Sequence, residues 1–168
     1  LSTFLYKDRD SENNALFIGP PWDYNLGFGN VDYCNGERID GWAFHLNNVC
    51  PSDDWQIPFW WDRMLTDASF TNRMQCRWQE LRSGPFHLDS IYSVIDSVGL
   101  ILQDAASRNF NRWEVLGSYV WPNYYVGSNY TDELNYLKNW ISDRFIWIDN
   151  NLPGSAINCS EILSTHFT

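Results

Sequence analysis

Lysine is nearly missing from this chain: Lys7 and Lys138 are the only two in 168 residues. Its own inventory therefore leaves little for a lysine-based phosphate clamp. Basic residues as a class are few, 11 Lys and Arg against 21 Asp and Glu, for a formal net charge of −10. A protein that grips a nucleic-acid backbone needs a basic face, so no nucleic-acid partner is expected. No apolar run approaches the roughly 18 residues that would mark a transmembrane helix. The four cysteines form no Cys-x-x-Cys pair, which argues against a zinc ribbon or a dithiol redox motif. His45, His87 and His166 are scattered with no metal-ligand spacing, and they read as surface or loop residues. No Gly-x-Ser-x-Gly elbow is present, which argues against an α/β-hydrolase. Internal repeats and low-complexity tracts are also missing.

What the chain does have is aromatic mass. Aromatics are 17% of the residues, ten of them Trp, within a composition that is 44% hydrophobic and 19% charged. That balance fits an ordered domain rather than a disordered segment. The chain opens on Leu1-Ser2-Thr3-Phe4-Leu5-Tyr6, with no Met and no leader pattern, and is strand-patterned from its first residue. It reads as a fragment of a larger domain.

The first 22 residues predict a β-hairpin: a strand over 2–7, a polar turn over 8–14 and a return strand over 15–18 that ends at Gly19-Pro20-Pro21. Residues 23–56 read as irregular structure rich in Gly, Asn and Asp, with aromatics that pack it down. A structureless stretch this long is usually functional or held by a disulfide. From residue 57 the period becomes helical, with Pro58 suited to a first turn. Asp67 is the expected N-cap of a helix to Arg82, with Phe70, Met74, Trp78 and Leu81 on one stripe. Asp89 is expected to cap a long helix with Ile91, Ile95, Val98, Leu102 and Ala105 at a helical period. A Trp/Tyr-rich loop over 112–128 follows. A last helix opens at Thr131, has Asp132 and Glu133 where the macrodipole favours acids, and turns Leu134, Leu137, Ile141, Phe145 and Ile148 inward. Pro153-Gly154 ends it. The fold class is therefore α+β, mainly α, a short N-terminal β-hairpin followed by a helical body. Residues 1–154 form that body and 155–168 a tail.

Cys34 and Cys50 flank the long loop, either as a disulfide worth roughly 3 kcal/mol of loop-closure entropy or as two free thiols. Cys76 falls inside a predicted helix and reads as a small buried apolar residue. Cys159 fits either state. Asn129-Tyr-Thr131 and Asn158-Cys-Ser160 match the glycosylation triplet. Arg77 and Glu80 are three apart on a helix and can pair, with Arg82 in the same network anchoring helix to loop.

The stretch that points to chemistry is Gly19-Pro20-Pro21-Trp22-Asp23-Tyr24-Asn25-Leu26-Gly27-Phe28-Gly29-Asn30. A strand ends in prolines and Trp, then a carboxylate, then a second hard oxygen two residues on, then a Gly-rich turn. Mg²⁺ takes one or two such oxygens and completes its shell with water and phosphate. Asp23 and Asn25 supply that pattern; the bland alternative is that Asp23 caps a turn, Asn25 bonds backbone and Trp22 joins the core.

This stretch, with Leu-Ser-Thr-Phe-Leu-Tyr-Lys-Asp-Arg-Asp before it, resembles the spore-coat protein H, or CotH, kinase family. So do Arg77-Trp78-Gln79-Glu80-Leu81-Arg82-Ser83-Gly84-Pro85 and the helix from Leu137 and Lys138 through Trp140, Arg144 and Trp147-Ile148. The resemblance implies the C-lobe of an atypical protein-kinase-like fold that moves the ATP γ-phosphate onto Ser of secreted or cell-surface proteins. It implies Mg or Mn with ATP as cofactors, Asp23 as metal ligand with Asn25 beside it, and Asn25, Asn30 and Ser2 on the cofactor side. Asn25 stands where many members carry Asp, which weakens a second metal contact. The general-base Asp is expected upstream of Leu1, as are the Lys and Glu of the N-lobe, and Lys7 does not take that role. The isolated fragment is expected to be inactive.

A different class of function also fits the composition. A non-catalytic surface domain binding glycan or protein would use Trp42, Trp55, Trp60, Trp61, Trp121, Tyr124 and Tyr125 as stacking faces and Asp53-Asp54 for hydroxyls. A glycosidase would need two carboxylates at a set spacing, which the sequence does not pair.

Overall fold

The computed structural model describes residues 4–13, 15–20, 22–52 and 56–160. Two short strands, β1 (Leu5–Lys7) and β2 (Leu16–Ile18), pair antiparallel with Tyr6 opposite Phe17. Those rings stack at 5.1 Å, the cross-strand contact that supports so short a hairpin. The first strand is shorter than the sequence predicts, and Ser2 and Thr3 lie outside the described residues.

The stretch 23–56 is not wholly irregular. It contains 3-10 turns at Asn25–Phe28 and Ala43–His45 and a single α-turn, α1 (Leu46–Val49). A Cys34–Cys50 disulfide closes it. The Asn47 side chain both accepts from and donates to the Ile57 backbone, at 2.7 and 3.0 Å, which ties the end of the loop to its own body.

The helical body is α2 (Phe59–Met64), α3 (Ala68–Arg82), α4 (Leu88–Arg112) and α5 (Tyr130–Asn151). Asp67 caps α3 as expected, its carboxylate accepting from the Ser69 and Phe70 amides. Two other starts differ from expectation. The N-cap of α4 is His87, whose imidazole accepts from the Asp89 amide, so Asp89 sits one turn-position inside, where the dipole favours it. The N-cap of α5 is Asn129 rather than Thr131. Its Oδ1 accepts from the Asp132 amide and its amide group donates back to the Asp132 carboxylate.

The inward stripe of α5 is as predicted: Ile141 is buried, and Phe145 meets Trp78 of α3 and Phe86 at 5.2 and 5.9 Å. The α4 stripe turns inward only in part. Val98 and Leu102 are exposed, and Ala105 with them. Ile91 and Ile95 are half-buried, and Tyr92 and Gly99 meet α5. Gly99 is buried against Leu134, where no larger side chain fits without displacing the leucine. Lys138 of α5 pairs with Asp96 and lies over the Tyr92 ring. Because α4 is apolar on more than one side, periodicity could not say which side meets α5.

Cys76 is a correction. It is fully buried, as read, but it is disulfide-bonded to Cys159, 83 positions on. The chain turns back after α5 at Gly154, whose Cα packs on the Thr71 backbone, and the Ser155 amide donates to Asn72 at 2.7 Å. The described part of the tail is thus stapled to α3. Arg82 also departs from the expected network. Arg77 pairs with Glu80 at 2.5 Å, while Arg82 reaches Asp149 on α5 and the Phe86 carbonyl, so it does anchor helix to loop.

Leu5, Leu16 and Ile18 of the hairpin and Val94, Val98 and Ile101 of α4 are exposed.

Candidate functional site

The hairpin delivers the chain through Gly19 and Pro20 into a tight turn at Asp23. Asp23 has φ +54, a left-handed conformation that costs most L residues energy but that Asp and Asn tolerate best. Its side chain is exposed and has no hydrogen-bond or ion-pair partner among the described residues. Trp22 is exposed too, so the reading that places it in the core does not hold.

Asn25 opens the 3-10 turn Asn25–Phe28, closed by a Gly27 amide to Tyr24 carbonyl bond of 3.0 Å. Gly29 follows with φ +80. Its Cα lies so close to the Trp140 indole that no methyl group fits there. The Tyr136 hydroxyl donates to the Gly29 carbonyl at 2.8 Å, and the Trp140 indole N–H donates to the Glu37 carbonyl at 2.9 Å. Further along, Arg144 Nη1 donates to the Ile39 carbonyl, and its guanidinium lies over Trp42 and Trp147. Burial pulls the Arg144 guanidinium below its ordinary value, with Asp40 acting the other way. Asp40 itself is held below the usual carboxylate range, chiefly by its hydrogen bond from Arg38.

Tyr136, Trp140, Arg144 and Trp147 therefore form a second face of α5, at spacings of four, four and three, which fastens the loop at Gly29, Glu37, Ile39 and Trp42. The sequence reading named Trp140, Arg144 and Trp147 through the family resemblance but gave them no structural role, and it did not name Tyr136. The helical spacing of these large side chains was the available signal.

Of the expected cofactor-side residues, Asn25 and Asn30 line one cleft of about 350 Å³ with Phe28, Glu133, Tyr136 and Leu137. Asp23 is two residues before Asn25 and outside that lining. The Asn30 Oδ1 accepts from the Tyr125 amide at 2.8 Å, so this side chain also fastens the 113–128 loop. Ser2, Asp53-Asp54 and Trp55 lie outside the described residues. Among the described residues no cluster of three or more His, Cys, Asp or Glu forms a closed metal cage. An ATP-borne Mg²⁺ does not require one: it takes one or two protein oxygens and fills its octahedron with phosphate and water. An exposed Asp23 carboxylate without a partner among the described residues is one oxygen ligand of that kind, and Asn25 follows two positions on.

The family model described as CotH kinase protein matches residues 1–148, and the chain belongs to that family. No curated protein and no solved structure matches it.

Proposed function

We propose that this chain is the metal-holding, mainly helical part of an ATP-dependent protein kinase that phosphorylates Ser on secreted or cell-surface proteins. The observation that carries the reading is Asp23. Asp23, within the span that the family model matches, stands exposed in a left-handed conformation at a strand end, without a partner among the described residues, two positions before Asn25 of the cleft. Strain kept at such a position is a reason to look for function there. A bound Mg²⁺ or Mn²⁺ would neutralise phosphate charge, which is most of what phosphoryl transfer asks of its catalyst. Asp23 would hold that ion, Asn25 would add a weaker oxygen, and the grip of α5 on Gly29 would keep the two in place.

Two disulfides support an oxidising destination, since such bonds are rare in reducing compartments. The uncovered apolar surfaces of the hairpin and α4 support the view that these residues work within a larger kinase fold.

The test is γ-phosphate transfer from ATP to a Ser-containing protein by the full-length protein, with Mg²⁺ and with Mn²⁺. Asp23→Asn keeps the turn, because Asn tolerates the same backbone, but loses the charge. It is expected to lower kcat by about 100-fold or more with unchanged melting. Full turnover by a folded Asp23→Asn protein would overturn the metal assignment.

A further inference from the structure

A rigid aromatic platform stands on the surface where segment 31–33 meets segment 119–122. Three contacts build it. The Asp32 amide donates to the Pro122 carbonyl at 2.9 Å. The Tyr33 and Trp121 rings stack with centroids 6.0 Å apart and 16° between planes. The Tyr119 hydroxyl donates to the Asp32 carboxylate. Behind it, the Asn30–Tyr125 hydrogen bond and a Gly117 amide to Gly127 carbonyl bond of 2.9 Å brace the loop. The rings are nonetheless open to solvent: Tyr33 is 42%, Tyr119 59% and Trp121 70% exposed. The interior does not use this surface, although holding these rings in water forgoes much of the stabilisation their burial would bring.

We propose that this platform is a carbohydrate-binding site for a neutral pyranoside, with Trp121 and Tyr33 as the stacking face and the Asp32–Tyr119 pair as the polar edge. The chemistry selects the ligand class. A pyranose offers a flat face of polarised C–H groups, which stacks on an indole or phenol, and a rim of hydroxyls. A carboxylate accepts from those hydroxyls and a phenol oxygen can share in the network. The partner of Asp32 is a phenol rather than a cation, and the chain carries a net charge of −10, so an anionic ligand is disfavoured. Because the rings are already locked, little ordering entropy opposes binding. The site is separate from Asp23 and its test does not depend on kinase activity.

The experiment is titration of the folded protein with soluble cello-, manno-, laminari- and chito-hexaoses, read by Trp fluorescence and calorimetry. At least one of the four is expected to bind saturably at or below about 1 mM. Trp121→Ala and Tyr33→Ala should each weaken that binding by about 10-fold or more, and Asp32→Asn by several-fold, with near-UV circular dichroism confirming the fold. No binding to any of the four at about 10 mM would overturn the proposal. So would binding that survives Trp121→Ala. Saturable binding of a proline-rich peptide to the same rings, with no hexaose bound, would replace the glycan by a protein partner and equally overturn it.

Discussion

Gly29→Ala would put a methyl group where the indole of Trp140 lies. The position carries two independent costs. Its φ of +80 is a left-handed conformation in which an L residue loses about 1–2 kcal/mol. The new Cβ would also overlap the indole ring, so Trp140 must move. Moving it strains a packed contact, about 1–3 kcal/mol, and endangers the indole hydrogen bond to the Glu37 carbonyl, about 1 kcal/mol. The sum is about 3–6 kcal/mol. For a chain of this length each kcal/mol moves the melting point by about 2–4 °C, so a fall of roughly 6–24 °C is expected. Urea unfolding and calorimetry would measure it. Gly27→Ala is the control, because a methyl there meets nothing within 4 Å and should change stability by less than about 0.5 kcal/mol. If Gly29→Ala melts with the wild type, the claim that α5 clamps the candidate turn through Trp140 is wrong. Equal losses at both glycines would place the cost in the local turn instead.

Cys159→Ser should destabilise the protein by about 4 kcal/mol, since the Cys76–Cys159 bond closes a loop of 83 positions. A urea midpoint that does not move would mean that the tail contributes nothing to the stability of α3. In alkaline spectrophotometric titration, Tyr119 and Tyr136 should ionise above the ordinary phenol value. The hydrogen bond to Asp32 raises the first, and burial raises the second. A folded value above the unfolded one of about 10 means that this stability is present below pH ~10 and is lost as pH rises through the folded value. Tyr136→Phe should remove one late phenol and cost about 1 kcal/mol for the lost Gly29 bond. An unchanged late fraction would count against the packing of Tyr136.

Local chemistry was enough to place most elements. Asp67 before an apolar period marks the start of α3, Gly84-Pro85 its end, and the Leu134–Ile148 stripe the buried side of α5. Each depends on residues within one or two turns of one another, so sequence spacing carries it. The carboxylate at the hairpin exit could be singled out for the same reason: Asp23 and Asn25 are neighbours in sequence, and the stretch that carries the resemblance runs through them.

What needed the tertiary structure were the choices between equivalent local options. Either side of α4 is apolar enough to be buried; the buried Gly99, which lets Leu134 approach, settles which one faces α5. Cys76 reads as apolar core from its helix alone, and only the return of the chain at Gly154 brings Cys159 to it. Asn30 reads as a ligand-side residue from the motif, yet a loop some 95 positions away takes its side-chain oxygen. Tyr33 and Trp121 are ordinary loop aromatics until Asp32 and Pro122 bring their rings together. Periodicity reports which faces are apolar and which residues cap; it does not report which partner arrives, because that is settled by contacts between residues far apart in the chain.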